Sequence, residues 1–138
     1  MNLRIKPKTY GPLLVRSGAD DEALVIETEA GNRVGAGHLS AVDALSPSDL
    51  LMASLSTCIA LSMRMTAKAM SLQLGVLDVS TLAVKAADLP NRFGRLEVVI
   101  RTGSAVDASK IGELLARTKE MCTVSNTLGA EVVLQLNP

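Results

Sequence analysis

Aromatic side chains are nearly missing from this chain: Tyr10 and Phe93 stand alone, tryptophan is absent, and aromatics make up 1% of the residues. A surplus of charge is missing too, with 14 Lys and Arg against 14 Asp and Glu. Cysteine is scarce (Cys58 and Cys122), and His38 is the single histidine. Each scarcity excludes something. Nucleic-acid binders carry a basic excess, and single-strand binders stack bases on aromatic rings; neither feature is present. Disordered chains combine low hydrophobicity with high net charge, whereas this one is 48% apolar and formally neutral. Two thiols and one imidazole make a poor four-ligand zinc set, and their spacing matches no zinc pattern. No Walker loop, dinucleotide fingerprint or paired-carboxylate constellation is found, and no bound cofactor or metal is expected.

What remains is a core of Leu, Val, Ala, Ile and Met. With 138 residues, the chain reads as one domain over 1–138, able to bury roughly two thirds of its unfolded surface. The opening MNLRIKPKTYGPLLVRSG has charges every few residues and no long apolar stretch, so it is not a secretory signal. The longest uncharged run, Leu50 to Met63, spans 14 residues, short of the about 20 that a membrane span needs. It reads as a buried helix. The cytoplasm is the default compartment, with neither nucleic acid nor membrane as partner. A permanent disulfide is disfavoured there.

Turn-like breaks at Gly11-Pro12 and Ser17 to Asp21 bound a strand over Leu13 to Arg16. Ala23 to Glu29 alternates Leu24, Ile26 and Thr28 against Val25, Glu27 and Glu29, a half-buried strand. Ala30-Gly31-Asn32 turns the chain into a third strand, Arg33 to Ala36, and a loop covers residues 37–45. Ser46-Pro47-Ser48-Asp49 is a helix start: a capping serine, proline at the first helical position and an acid three residues after the cap. That helix runs to about Met70 and is apolar nearly all round up to Arg64. Strands follow at Val76 to Ala86 and Arg95 to Thr102. Asp107 caps a second helix whose stripe is Ile111, Leu114, Leu115, Thr118 and Cys122. A last strand covers Glu131 to Leu136. The order βββ-α-ββ-α-β argues an α+β fold with a largely antiparallel sheet and two helices.

The two cysteines lie 64 positions apart, one on each helix, both on inward faces. Free cysteine is among the most buried residue types, so two inert core thiols are one reading. A redox pair that closes transiently is the other. Cys58 lies too far from its helix start for the dipole to acidify it much, so reactivity asks for a nearby cation. Candidates are Arg16, Arg33, Arg92, Arg95 and His38. His38 is also a plain loop histidine, and Arg92, Arg95 and Arg101 read as a solvated strand face. Met52, Met63, Met65 and Met70 crowd the first helix; core filling accounts for them better than a soft-metal site.

At the two cysteines the sequence resembles a known family. Ser46-Pro47-Ser48-Asp49-Leu50-Leu51-Met52-Ala53-Ser54-Leu55-Ser56-Thr57-Cys58 is similar to the helix of the OsmC/Ohr proteins, the osmotically induced and organic-hydroperoxide-resistance proteins. That helix opens on Pro, an acid and Leu and carries a cysteine about ten residues later. Cys122-Thr123-Val124-Ser125-Asn126-Thr127-Leu128 is similar to the family's second-cysteine segment, where Pro often follows the Cys. The cysteine separation and element order fit as well, so the resemblance covers nearly the whole chain. It implies an OsmC-like fold, an intertwined homodimer with sites at the subunit interface, and thiol peroxidase activity on organic hydroperoxides.

By that resemblance Cys58 is the peroxidatic thiolate and Cys122 resolves its sulfenic acid to a disulfide. An external dithiol, lipoyl-based in the family, reduces the pair. The resemblance also implies an Arg and a Glu around the thiol. Arg16 is the nearest candidate for the Arg. Ser48 stands where the Glu usually lies, with Asp49 one residue on, and His38 stands where some members place the Arg. The expected site is therefore Cys58, Cys122, Arg16 and Asp49. The alternative is a weak or inactive OsmC-like protein that binds a small apolar ligand at its dimer interface.

Overall fold

A computed structural model describes residues 7–19, 23–39 and 41–137. The turn expected at Ser17 to Asp21 falls partly outside these. The chain divides into two compact units, Met1–Asp49 and Leu50–Pro138.

The first unit is a meander of β1 (Leu14–Ser17), β2 (Leu24–Glu27) and β3 (Arg33–Ala36), all antiparallel. The alternation read in β2 holds, with Ile26 buried. Its turn into β3 is closed by two bonds: Thr28 N–H donates to Asn32 O and Gly31 N–H to Thr28 O, both at 2.9 Å. Gly31 sits at φ 89, left-handed backbone that glycine adopts without a Cβ clash. After β3 the chain folds back, and Leu45 N–H bonds Gly35 O at 2.9 Å. A Cβ on Gly35 would lie 2.9 Å from Asp43 O, so this close return requires glycine.

Helix α1 (Pro47–Ala69) opens at the end of that unit. Ser46 and Asp49 form a reciprocal capping box: Ser46 N–H donates to Asp49 Oδ2 at 3.0 Å, and Asp49 N–H to Ser46 Oγ at 3.1 Å.

The second unit adds β4 (Leu77–Lys85), β5 (Phe93–Thr102), α2 (Ala108–Met121), α3 (Thr123–Thr127) and β6 (Glu131–Asn137). The sheet order is β4-β5-β6. Central β5 turns Leu96, Val98 and Ile100 inward, none more than 1% exposed. They join Leu55, Ile59 and Met63 of α1, Leu114 and Cys122 of the α2 side, and Val132 of β6 in one core. Burying each such aliphatic side chain stabilises by roughly 1.5–3 kcal/mol.

By length and composition α1 is apolar enough to cross a membrane. Its Leu55, Ile59 and Met63 nevertheless belong to the second unit's core, and its Ser56 and Thr66 hydroxyls bond Thr81 Oγ1 at 2.6 Å and Met121 Sδ at 3.3 Å.

The α+β class and element order are as expected, with three differences. The strands form two three-stranded sheets. β6 runs parallel to β5, because the helical segment between them is a crossover that returns the chain to the same end of the sheet. A third, short helix, α3, follows Cys122, in addition to the two helices expected.

Candidate functional site

Cys58 sits about three turns into α1. Its neighbours Leu55 and Ile59 enter the core, while Cys58 itself is half-buried. Ser62, four residues on, lies on the same face one turn away and is 7% exposed.

Cys122 occupies a corner. It is the C-cap of α2 and at once the N-cap of α3, with extended backbone at φ −77, ψ 104. Its own N–H bonds Lys119 O at 3.2 Å. Its Sγ accepts from Ser125 N–H at 3.4 Å, much as a capping hydroxyl does. Asn126 clamps the corner from the other side: its side-chain Nδ2 donates to Glu120 O at 2.9 Å, and its N–H to Cys122 O at 3.0 Å.

The two thiols meet. Cys122, the backbone N–H groups of Val124 and Thr123, and the Ser62 hydroxyl each favour the charged form of the Cys58 sulfur. Burial by itself pushes the Cys58 thiol up, and it is the largest single influence. The four donors together outweigh it and hold Cys58 below its ordinary 9.0. Cys122 moves oppositely. Burial, its bond to Cys58 and the Cys58 charge push it up to about 11. Both cysteines are free. The arrangement pairs an acidified, partly exposed sulfur with a buried thiol that stays protonated at neutral pH. That is the layout of a nucleophile and its resolving partner.

The other expected residues stand at other points of the chain. Arg16 is on β1 opposite Val25, in the first unit. With Arg33 and Glu27 it lines a cavity of about 240 Å³ there. Asp49 has its carboxylate in the capping box, which is a structural duty. His38 lies in the loop after β3, in the first unit, and its carbonyl accepts from Ala41 N–H at 2.9 Å. Arg92 pairs with Asp88 at 2.6 Å and Arg95 with Glu97 at 3.1 Å, both near the surface. The methionines do not converge: Met63 is fully buried and Met65 is 61% exposed. Among the described residues no cluster of His, Cys, Asp and Glu could hold a metal ion.

Two features escaped the sequence reading. Ser62 was visible as a face neighbour of Cys58 but had no role. The N–H donors of Thr123 and Val124 carry no side-chain signature, so nothing in the sequence marked them.

Comparison with known proteins follows the same lines. The family described as OsmC-like protein matches residues 38–137, a stretch that runs across both units. No curated protein matches the chain. Among solved structures, an OsmC-like protein from Mycoplasma pneumoniae superposes with TM-score 0.83 at 12% identity, covering 95% of this chain and 98% of that one. An OsmC-like protein of unknown function from Vibrio cholerae gives TM-score 0.80 at 14% identity, with 94% and 100% covered. The organic hydroperoxide resistance protein OhrB of Bacillus subtilis gives 0.71 at 19% identity, with 94% and 98% covered. The fold thus agrees with the family match, and the chain belongs to the OsmC-like protein family.

Proposed function

We propose that the protein is a cysteine-based peroxidase that reduces organic hydroperoxides. The observation that carries this reading is the contact of the two thiols with acidities driven apart, Cys58 down and Cys122 up to about 11. The likeness to proteins named for organic hydroperoxide resistance supports it.

The Cys58 thiolate attacks the distal oxygen of ROOH. The O–O bond breaks, an S–O bond forms, and the alkoxide takes up a proton to leave as ROH. Cys58 is now a sulfenic acid. The Cys122 sulfur attacks the Cys58 sulfur, and the S–O bond breaks. The hydroxide takes the proton that Cys122 carried and departs as water, leaving a Cys58–Cys122 disulfide. A dithiol then exchanges with the disulfide, is itself oxidised, and restores both thiols. The net reaction converts ROOH and a dithiol into ROH, water and a cyclic disulfide. The raised pKa of Cys122 suits its part: it remains a thiol, and so does not compete for peroxide, until a sulfenic acid forms beside it.

The family resemblance supplies the rest of the reading, a homodimer, a lipoyl-type dithiol as reductant and Arg16 as the cation of the site, and the cytoplasm is the default compartment of the sequence. With Tyr10 and Phe93 the only rings, an aliphatic hydroperoxide is the natural substrate class.

The test is thiol loss. One equivalent of tert-butyl hydroperoxide should consume both thiols per chain and lower the chain mass by two hydrogens. Cys58→Ser should abolish turnover, and Cys122→Ser should let Cys58 run on to sulfinic acid. Thiols that survive excess peroxide in a folded protein would overturn the peroxidase reading.

A further inference from the structure

We propose that Met121 is a modification site: a hydroperoxide oxidises its thioether to the sulfoxide, and the added oxygen loosens the corner that holds Cys122. The inference goes beyond the peroxidase reading and does not need the thiols to turn over.

Met121 is the last residue of α2 and is 45% exposed, so a dissolved hydroperoxide reaches it. Its sulfur is also tied down. Sδ accepts from Thr66 Oγ1 at 3.3 Å, a bond that joins the end of α2 to α1. Thr66 is 1% exposed, and a buried hydroxyl needs an acceptor. A thioether is a weak one. The junction thus sets a poor acceptor against a donor that cannot turn to water. Met63 is fully buried, and Met65, at 61%, stands in solvent. Met121 combines access with a buried polar contact.

The chemistry is oxygen transfer. A lone pair of the Met121 sulfur attacks an oxygen of ROOH. The O–O bond breaks, an S–O bond forms, and the alkoxide takes up a proton and leaves as ROH. Sulfur is oxidised and the peroxide is reduced. The product side chain is polar where the thioether was apolar. An S–O bond followed by an O–H···O contact of about 2.7 Å does not fit into the 3.3 Å that separates Sδ from Thr66 Oγ1. The sulfur must back away from Thr66, with the last turn of α2 or out of the junction altogether. Either movement releases the tie to α1.

Cys122 is the next residue. As C-cap of α2 its N–H bonds Lys119 O at 3.2 Å, and as N-cap of α3 its Sγ accepts from Ser125 N–H at 3.4 Å. Both bonds are long, and both depend on where the last turn of α2 sits. Cys122 is fully buried, so a reagent reaches it only through local opening. Releasing the end of α2 makes that opening more frequent.

The test treats the reduced, full-length protein with tert-butyl hydroperoxide. Dithiothreitol then returns any disulfide or sulfenic acid to thiol and leaves the sulfoxide, which needs its own reductases. Peptide mass should show one added oxygen on Met121 and on Met65, with Met63 untouched. Iodoacetamide labelling of Cys122 should then run roughly three- to tenfold faster than in unoxidised protein, the opening expected from one lost hydrogen bond. Methionine sulfoxide reductases A and B should restore the original rate. Met121→Leu has no thioether, and peroxide should leave its Cys122 labelling unchanged, whereas Met65→Leu should respond as the wild type does. Circular dichroism checks that each variant is folded, and Met121→Ile is a second variant without the thioether should Leu fail to fold. An unmodified Met121 overturns the proposal, as does an oxidised Met121 with unchanged Cys122 labelling, or equal acceleration in Met121→Leu. Thiols inert to hydroperoxide beside an oxidised Met121 and faster labelling would remove the peroxidase and leave this site in place. Turnover at Cys58 with Met121 untouched would do the reverse.

Discussion

Cys58 and Cys122 act on each other's acidity: burial first, and then its bond to Cys58, push Cys122 up to about 11, while that same bond is one of the influences that lower Cys58. The two groups titrate as a pair: ionising one opposes ionising the other.

The pair makes stability depend on pH at the alkaline end. Cys122 has a folded value raised above its ordinary 9.0, so its contribution is complete below 9.0 and lost as pH rises through about 11. Cys58 is shifted the other way, so its contribution is present above 9.0 and lost as pH falls through its lower folded value. Urea unfolding from neutral pH to about 11 should show wild-type stability falling by about 2–3 kcal/mol at most from the Cys122 shift. Cys122→Ser should flatten that slope.

Arg16→Ala tests the cation carried over from the family. If Arg16 acts on Cys58, alkylation at neutral pH slows and the profile moves up. An unmoved Arg16→Ala profile takes Arg16 out of the site.

Asn126→Ala should loosen the corner that carries Cys122, because Glu120 O loses its side-chain donor. The expected cost is about 1 kcal/mol in urea unfolding, together with slower Cys58 alkylation as the Thr123 and Val124 N–H groups lose their aim.

The capping box separates the two roles open to Asp49. Ser46→Ala and Asp49→Asn should each cost about 1 kcal/mol, seen as a lower urea midpoint. Neither should move the Cys58 profile. A shifted profile in Asp49→Asn would show that the carboxylate acts at the thiol.

Thr118 is fully buried in α2, and its Oγ1 has no hydrogen-bond partner among the described residues. An unpaired buried hydroxyl costs about 1–3 kcal/mol. Thr118→Val should therefore leave stability unchanged or raise it by about 1 kcal/mol, and a clear loss would mean that the hydroxyl is bonded in solution.

Much of the fold was legible because local rules govern it. The Ser46-Pro47-Ser48-Asp49 start of α1, the Asp107 cap of α2, whose carboxylate accepts from Ser109 N–H at 3.0 Å, and the Ile111 to Cys122 stripe all follow from short-range spacing. Leu77, Val79, Thr81 and Ala83 face inward, while Leu82 stays 60% exposed, because alternation alone does not say which side a helix will cover. The parallel pairing of β6 was not legible, since strand direction depends on where a crossover returns the chain.

The sequence by itself determined that two thiols lie on the inward faces of two helices, because helical periodicity is written in neighbouring residues. Only the tertiary structure decided that residues 64 positions apart come close enough to act on each other's acidity. It also decided that Cys122 caps a short helix, and that the donors acidifying Cys58 are two backbone amides, a thiol and the Ser62 hydroxyl. Those are properties of packing distance and backbone direction, and neither is encoded in the identity of a residue or its neighbours.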